Sequence, residues 1–207
     1  RELEFAQKGK DYSKTLLDKA VSRKKINQEK ADHILSLITP TADYADLEGC
    51  DLVIEAVLED VDVKADVTKK TQAVVPDSCI YGSNTSTLPI SILAKASKDQ
   101  QKFIGIHFFS PVDKMPLVEI ILGKNTGDEA LAKALDYVRQ IRKTPIVVND
   151  SRGFYTSRCF MTYPVEASNM LAEGVSPVLI ENCGVYAGMA VGPFAVNDEV
   201  GIELSYH

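Results

Sequence analysis

The feature that most constrains this 207-residue chain is a series of short, nearly continuous apolar runs separated by segments of helical period. Asp51 to Val57 (DLVIEAV), Cys79 to Ser83 (CIYGS), Phe103 to Phe109 (FIGIHFF) and Leu117 to Leu122 (LVEIIL) are the clearest. Each is too short for an ordinary helix, and such runs suit strands covered on both faces, as in a parallel sheet. Between them the pattern predicts helices from about Val63 to Val75, Ile90 to Ala96 and Asp128 to Arg142, with Ile146 to Val148 closing the sheet. From Tyr12 to Leu37 apolar residues recur at helical spacing, broken by the polar stretch Arg23 to Gln28, which predicts two helices or one bent one. This alternation specifies an α/β fold with a mainly parallel sheet. After Asn149 no strand pattern remains, and Phe154 to Glu173 and Val178 to Met189 are helical. We therefore expect an α/β domain over 1–150 and an all-helical one over 151–207.

Charge and cysteine usage exclude several functions. A net charge of −6 argues against an extended nucleic-acid or anionic-membrane surface, because both need a basic field. The cysteines Cys50, Cys79, Cys159 and Cys183 are widely separated, without the spacing of a zinc site or redox pair. They read as reduced thiols, so the expected compartment is the cytoplasm. No apolar run is long enough to span a bilayer, and the first residues lack a signal-peptide core.

Only seven residues, Ser110 to Pro116, join the runs FIGIHFF and LVEIIL. That is too short for a parallel crossover and implies an antiparallel pair. If the connection is symmetric about Asp113, His107 lies directly opposite Glu119, within reach of a side-chain hydrogen bond. A carboxylate beside an imidazole orients the ring and favours its protonated form, as a general base requires. A buried histidine satisfied by a structural glutamate has the same geometry. Of the other histidines, His33 falls on a polar helix face and His207 is the last residue.

Two further clusters sit at predicted strand ends, the edge where open α/β sheets bind ligands. Ser83-Asn84-Thr85-Ser86-Thr87 offers hydroxyls and an amide that would orient a substrate or simply form a turn or helix cap. Glu55 and Glu59 end the DLVIEAV segment, with Lys64 one helical turn beyond. Glu59 would accept from a ligand hydroxyl, or the group would be a solvated first turn favoured by the helix dipole. The chain has no glycine-rich phosphate loop, no nucleophile elbow and no metal-ligand cluster, so no metal is expected.

The segments SNTST at 83–87, IGIHFFSPVDKMPLVEII at 104–121 and KTPIVVND at 143–150, in this order and spacing, resemble the 3-hydroxyacyl-CoA dehydrogenase family. The likeness extends over essentially the whole chain and is strongest to the dehydrogenase part of bacterial fatty-acid oxidation multienzymes. It implies a partial Rossmann-like domain followed by a helical substrate and dimerisation domain. It also implies interconversion of (3S)-3-hydroxyacyl-CoA and 3-ketoacyl-CoA with NAD as cofactor, in fatty-acid β-oxidation. His107 would be the base that takes the 3-hydroxyl proton, Glu119 would steady the imidazolium, and Ser86 would bond the substrate oxygen beside the nicotinamide. Glu59 and Lys64 match cofactor-contacting positions, Ser110 a nicotinamide or substrate contact, and Ser157 a substrate contact.

The chain departs from the family pattern in places. Ser110 and Ser157 stand where many relatives carry asparagine, and Arg152 where a proline is common. Arg1 falls just after the family's second strand, so the first strand, glycine-rich turn and helix, a unit of about 30 residues, are expected to be missing. The end, DEVGIELSYH, falls partway through the helical domain. From these readings we expect weak or no activity in the isolated chain and, because an apolar sheet edge would be uncovered, a homo-oligomer. Lys8, Lys10 and Lys14 would meet CoA phosphates or form a solvated basic helix end. Two other functions remain open: a non-catalytic binding protein on the same fold, and a dehydrogenase of small β-hydroxyacids. The second is weakened by the absence of any lysine after Lys143.

Overall fold

A computed structural model describes residues 2–200, so His207 and most of DEVGIELSYH lie outside the described residues. The apolar runs become strands β1 (Leu52–Glu55), β2 (Ile80–Ser83), β3 (Phe103–Phe108) and β4 (Leu117–Leu122), and β5 is Thr144–Asn149. They form one sheet in sequential order, parallel except between β3 and β4. The short 110–116 connection does produce the antiparallel pair, and His107 is the partner of Glu119.

Both faces of the sheet are covered, which explains why the strands show no polar alternation. On one face Ile80, Ile104, Ile106, Val118 and Ile120 pack against helix α5 (Asp128–Gln140). Ala130, Ala134 and Val138 recur at i, i+4 and i+8 on α5, so its small side chains form one stripe that lies close on the sheet. On the other face Tyr81, Phe103 and Ile121 meet Ile90 and Leu93 of the single-turn helix α4 (Ile90–Leu93), and Phe154. Gly105 permits that closeness, since a Cβ there would lie 2.7 Å from Ile90 Cδ1 and 2.8 Å from Ile121 Cβ. Each Ile or Val buried this way stabilises the fold by about 1.5–3 kcal/mol.

The segment before β1 is a pair of helices, α1 (Leu3–Ser22) and α2 (Gln28–Ser36), separated at the polar stretch. Helix α3 (Val61–Gln72) starts where Asp60 accepts from the backbone N–H groups of Asp62 and Val63. After β5 the chain is helical, with α6 (Thr156–Ala172), α7 (Pro177–Tyr186) and α8 (Pro193–Val200). Helix α8 was not expected from the sequence, because it lies beyond the last strongly apolar stretch. Among the described residues no helix is long and apolar enough to cross a membrane.

Candidate active site

Strand register brings the first two groups together. His107 near the end of β3 and Glu119 in β4 project from the same face, and the His107 Nδ1 to Glu119 Oε2 distance is 2.9 Å. Both are enclosed, His107 being 4% exposed and Glu119 0%. A carboxylate only accepts, so Nδ1 carries the proton and donates it to Glu119. When the ring is neutral Nε2 is the acceptor, and the Ser86 hydroxyl, 3.0 Å away, is the donor to it. The rings of Phe109 and Phe154 flank the imidazole, with centroids 4.4 Å and 6.2 Å from its own. The result is a continuous chain, Ser86 to His107 to Glu119, whose basic nitrogen faces a hydroxyl-bearing loop.

Glu119 is held from its far side by the start of α6. Its Oε1 accepts from the backbone N–H groups of Tyr155 (3.2 Å) and Thr156 (2.8 Å), and its Oε2 accepts from the Thr156 hydroxyl (2.8 Å). Gly153 and Phe154 have φ of +72° and +48°, so two successive left-handed residues turn the chain to aim those N–H groups at the carboxylate. A positive φ at a bulky residue is uncommon, and here Phe154 is fixed by its burial between α4 and the sheet. Burial pushes the Glu119 carboxyl up, but the bonds from His107 and Thr156 outweigh it and leave the group below its ordinary 4.5.

Glu59 is the other hub. Its Oε1 accepts from the Thr85 hydroxyl and from the backbone N–H groups of Ser86 (3.0 Å) and Thr87 (3.2 Å), which fixes the loop carrying Ser86. Partial burial pushes its carboxyl up, and the Thr85 and Thr87 bonds with the nearby Lys64 charge bring it below 4.5. A carboxyl held below its unfolded value stabilises the fold fully above that value, and the contribution is lost as pH falls through the folded one. The unfolding midpoint should therefore drop as pH falls below about 4.5, and less steeply in Glu59→Gln. A melting series with equal slopes in both proteins would place the acid sensitivity elsewhere.

Lys64 is a buried residue, its side chain 1% exposed. Its ammonium donates to Glu55 Oε1 and the Asn84 carbonyl, each at 2.9 Å, and lies 3.5 Å from Glu59 Oε2. Glu55 in turn accepts from Val57 N–H (2.6 Å) and the Ser83 hydroxyl (2.8 Å). The structure thus ties the ends of β1 and β2 to α3 through one buried cation. Ser110 is exposed just after β3, and Ser157 is the second residue of α6; neither is drawn into the Ser86–His107–Glu119 chain. Lys8 and Lys14 form exposed pairs with Glu4 and Asp18 on α1.

Sequence reasoning passed over Thr156 and Asp150, and read the Asn84 amide as orienting a substrate or forming a turn or cap. Asn84 Oδ1 accepts from Phe108 N–H at 2.9 Å, fastening the loop to β3, and Asp150 accepts from the N–H groups of Ile90 and Ser91 at the start of α4. Gly153 followed by a helical pattern was the available signal for a turned helix start, but nothing local indicated that the helix would cap Glu119.

Comparison with known proteins identifies the family. A family model described as "3-hydroxyacyl-CoA dehydrogenase, NAD binding domain" matches residues 1–151, and one described as "3-hydroxyacyl-CoA dehydrogenase, C-terminal domain" matches residues 153–207. The chain is 40% identical, over 193 residues, to the fatty acid oxidation complex subunit alpha of Shewanella baltica, covering 93% of this chain and 27% of that protein. It thus spans about a quarter of the length of such curated relatives. Among solved structures, (S)-3-hydroxybutyryl-CoA dehydrogenase from Ralstonia eutropha superposes with a TM-score of 0.93 at 33% identity, over 97% of this chain and 72% of that one. The 3-hydroxybutyryl-CoA dehydrogenase of Escherichia coli gives 0.93 at 29% identity, over 99% of this chain and 44% of that one. With residues 1–151 and 153–207 matched by two models of one family, the protein belongs to the 3-hydroxyacyl-CoA dehydrogenases.

Proposed function

We propose that the chain carries the dehydrogenase site of an enzyme that interconverts (3S)-3-hydroxyacyl-CoA and 3-ketoacyl-CoA with NAD, in fatty-acid oxidation. The observation that supports it most is the hydrogen-bonded chain from Ser86 through His107 to Glu119. With the ring neutral and Nδ1–H on Glu119, His107 Nε2 is free to take the proton of a substrate 3-hydroxyl as the C3–O bond becomes a carbonyl. The Ser86 hydroxyl then has the substrate oxygen as its partner. Glu119, already ionised and fully enclosed, stabilises the imidazolium that results and keeps the ring from turning. In the reverse direction the same imidazolium returns the proton to the developing alkoxide.

The donor set suits the nicotinamide end of the cofactor. Glu59 places one oxygen on the loop while its side chain remains 33% exposed, and Ser86 adds a hydroxyl on that loop. Glu59, Ser86 and Ser110 would hold the cofactor, Lys64 would support Glu59 from behind, and Ser157 would meet substrate from α6. Bound NAD supplies the acceptor for the hydride that leaves C3. The protein's own contribution is the proton relay, the orientation of the hydroxyl and the apolar rings of Phe109 and Phe154 that flank the imidazole.

We place the protein in the cytoplasm, a reducing compartment that suits four unpaired cysteines. We propose a homo-oligomer, supported by the exposed apolar residues Val165 and Leu171 on α6 and Val178, Leu179 and Tyr186 on α7. The test of the reaction is acetoacetyl-CoA-dependent loss of NADH absorbance, in this chain and in the chain joined to a strand, glycine-rich turn and helix from a family member. Turnover is expected in the joined protein. A folded joined protein without turnover would move the reading to a non-catalytic binding protein.

A further inference from the structure

We propose that Thr156 is a positioning residue for the Glu119–His107 pair, sharing Glu119 Oε2 with the imidazole and thereby setting the pH range over which His107 works. The inference rests on the dehydrogenase reading and adds a residue to it. Oε2 accepts from His107 Nδ1 at 2.9 Å and from the Thr156 hydroxyl at 2.8 Å, while Oε1 is taken by the N–H groups of Tyr155 and Thr156. Four donors therefore surround one enclosed carboxylate, and only the hydroxyl can be removed without disturbing the backbone or the base.

The two oxygens have different duties. The backbone N–H groups on Oε1 fix the plane of the carboxylate, because they come from a helix start whose direction is set by the Gly153–Phe154 turn. The hydroxyl on Oε2 acts on the oxygen that His107 uses. A donor there spreads part of the negative charge away from the imidazole and opposes protonation of the carboxyl. Without it, Oε2 binds a proton more readily and holds an imidazolium more strongly. Both changes require a higher pH before the neutral base and the ionised carboxylate coexist.

Few other charges compete for control of this pair. From β3 the only titratable group facing Glu119 is His107, and β5 places Ile146 beside it in the sheet. The first turn of α6 offers the uncharged Thr156 and Ser157, with Arg158 instead lining a cavity beside Val147 and Asn149. Tyr155 meets Glu119 through its backbone N–H. The loop after β2 presents Ser86, behind which Glu59 is paired with Lys64, and Asp150 is engaged at the start of α4. Thr156 is the one side chain besides His107 that bonds the Glu119 carboxylate among the described residues.

The experiment compares Thr156→Val, which keeps the shape and removes the hydroxyl, with Thr156→Ser, which keeps the hydroxyl. Two quantities are read against pH: kcat/KM for hydroxyacyl-CoA oxidation in the joined protein, and the side-chain carboxyl carbon resonance of Glu119, assigned by its loss in Glu119→Gln. In Thr156→Val the acid-side limb of the activity profile and the carboxyl titration should both move up by about half a pH unit or more. Thr156→Ser should restore both, with KM little changed throughout. A lower melting temperature in Thr156→Val with neither curve moved would make Thr156 only a helix-start residue and overturn the proposal. A downward move, or a failure of serine to restore the curves, would overturn it too. If no variant, wild type included, turns over substrate while the carboxyl titration moves as expected, the reaction fails and the positioning stands.

Discussion

In His107→Gln, turnover of acetoacetyl-CoA is expected to fall by about 10²- to 10⁴-fold while the fold persists. Glutamine can still donate an amide N–H toward Glu119 Oε2, the bond that His107 Nδ1 makes at 2.9 Å, so the buried carboxylate keeps a donor. The exchange should then cost no more than about 1 kcal/mol of stability, the worth of one ordinary hydrogen bond. What glutamine lacks is a nitrogen able to accept a proton at neutral pH, and Ser86 loses the acceptor it has 3.0 Å away. The loss should fall on kcat, because the imidazolium forms only as the reaction proceeds. Steady-state kinetics beside a thermal melt separate the possibilities. Comparable turnover in a folded variant would remove His107 from the chemistry and leave the pair as a structural contact.

The sequence made that pair legible through one geometric fact. A seven-residue link between two apolar runs admits only an antiparallel arrangement, and side-chain period in strands then fixes which residues face each other. The loop at 83–87 was legible as a polar strand end for the same reason, since parallel strands expose their carboxyl ends to ligand. Lys64 was harder. A lysine in the first turns of a helix ordinarily points to water, and only the tertiary approach of Glu55, Glu59 and the Asn84 carbonyl encloses it. Thr156 was hidden by sequence distance, because its partner lies 37 residues earlier and is reached only through the turn at Gly153 and Phe154. Periodicity reports which face of an element is buried. It carries no record of which donor meets which acceptor across elements.

Lys64→Met should destabilise the protein by about 3–5 kcal/mol, the cost of leaving a buried charge without its partner. Glu55 would retain the Val57 N–H and the Ser83 hydroxyl, but its side chain is 1% exposed and no water would replace the ammonium. The Asn84 carbonyl would lose its donor at the point where the chain enters the Ser86 loop. Methionine fills much the same volume, so the loss would report the charge and its bonds and not a cavity. Adding Glu55→Gln to Lys64→Met should restore more than about 1 kcal/mol, since a neutral amide can keep the Val57 and Ser83 contacts without a cation. Urea unfolding of the two single variants and the double variant measures that coupling. A cost below about 1 kcal/mol for Lys64→Met would mean the pair is solvated in solution. A full loss that Glu55→Gln does not relieve would point to the Asn84 carbonyl as the contact that matters, and the Ser86 loop would then depend on α3 through its backbone alone.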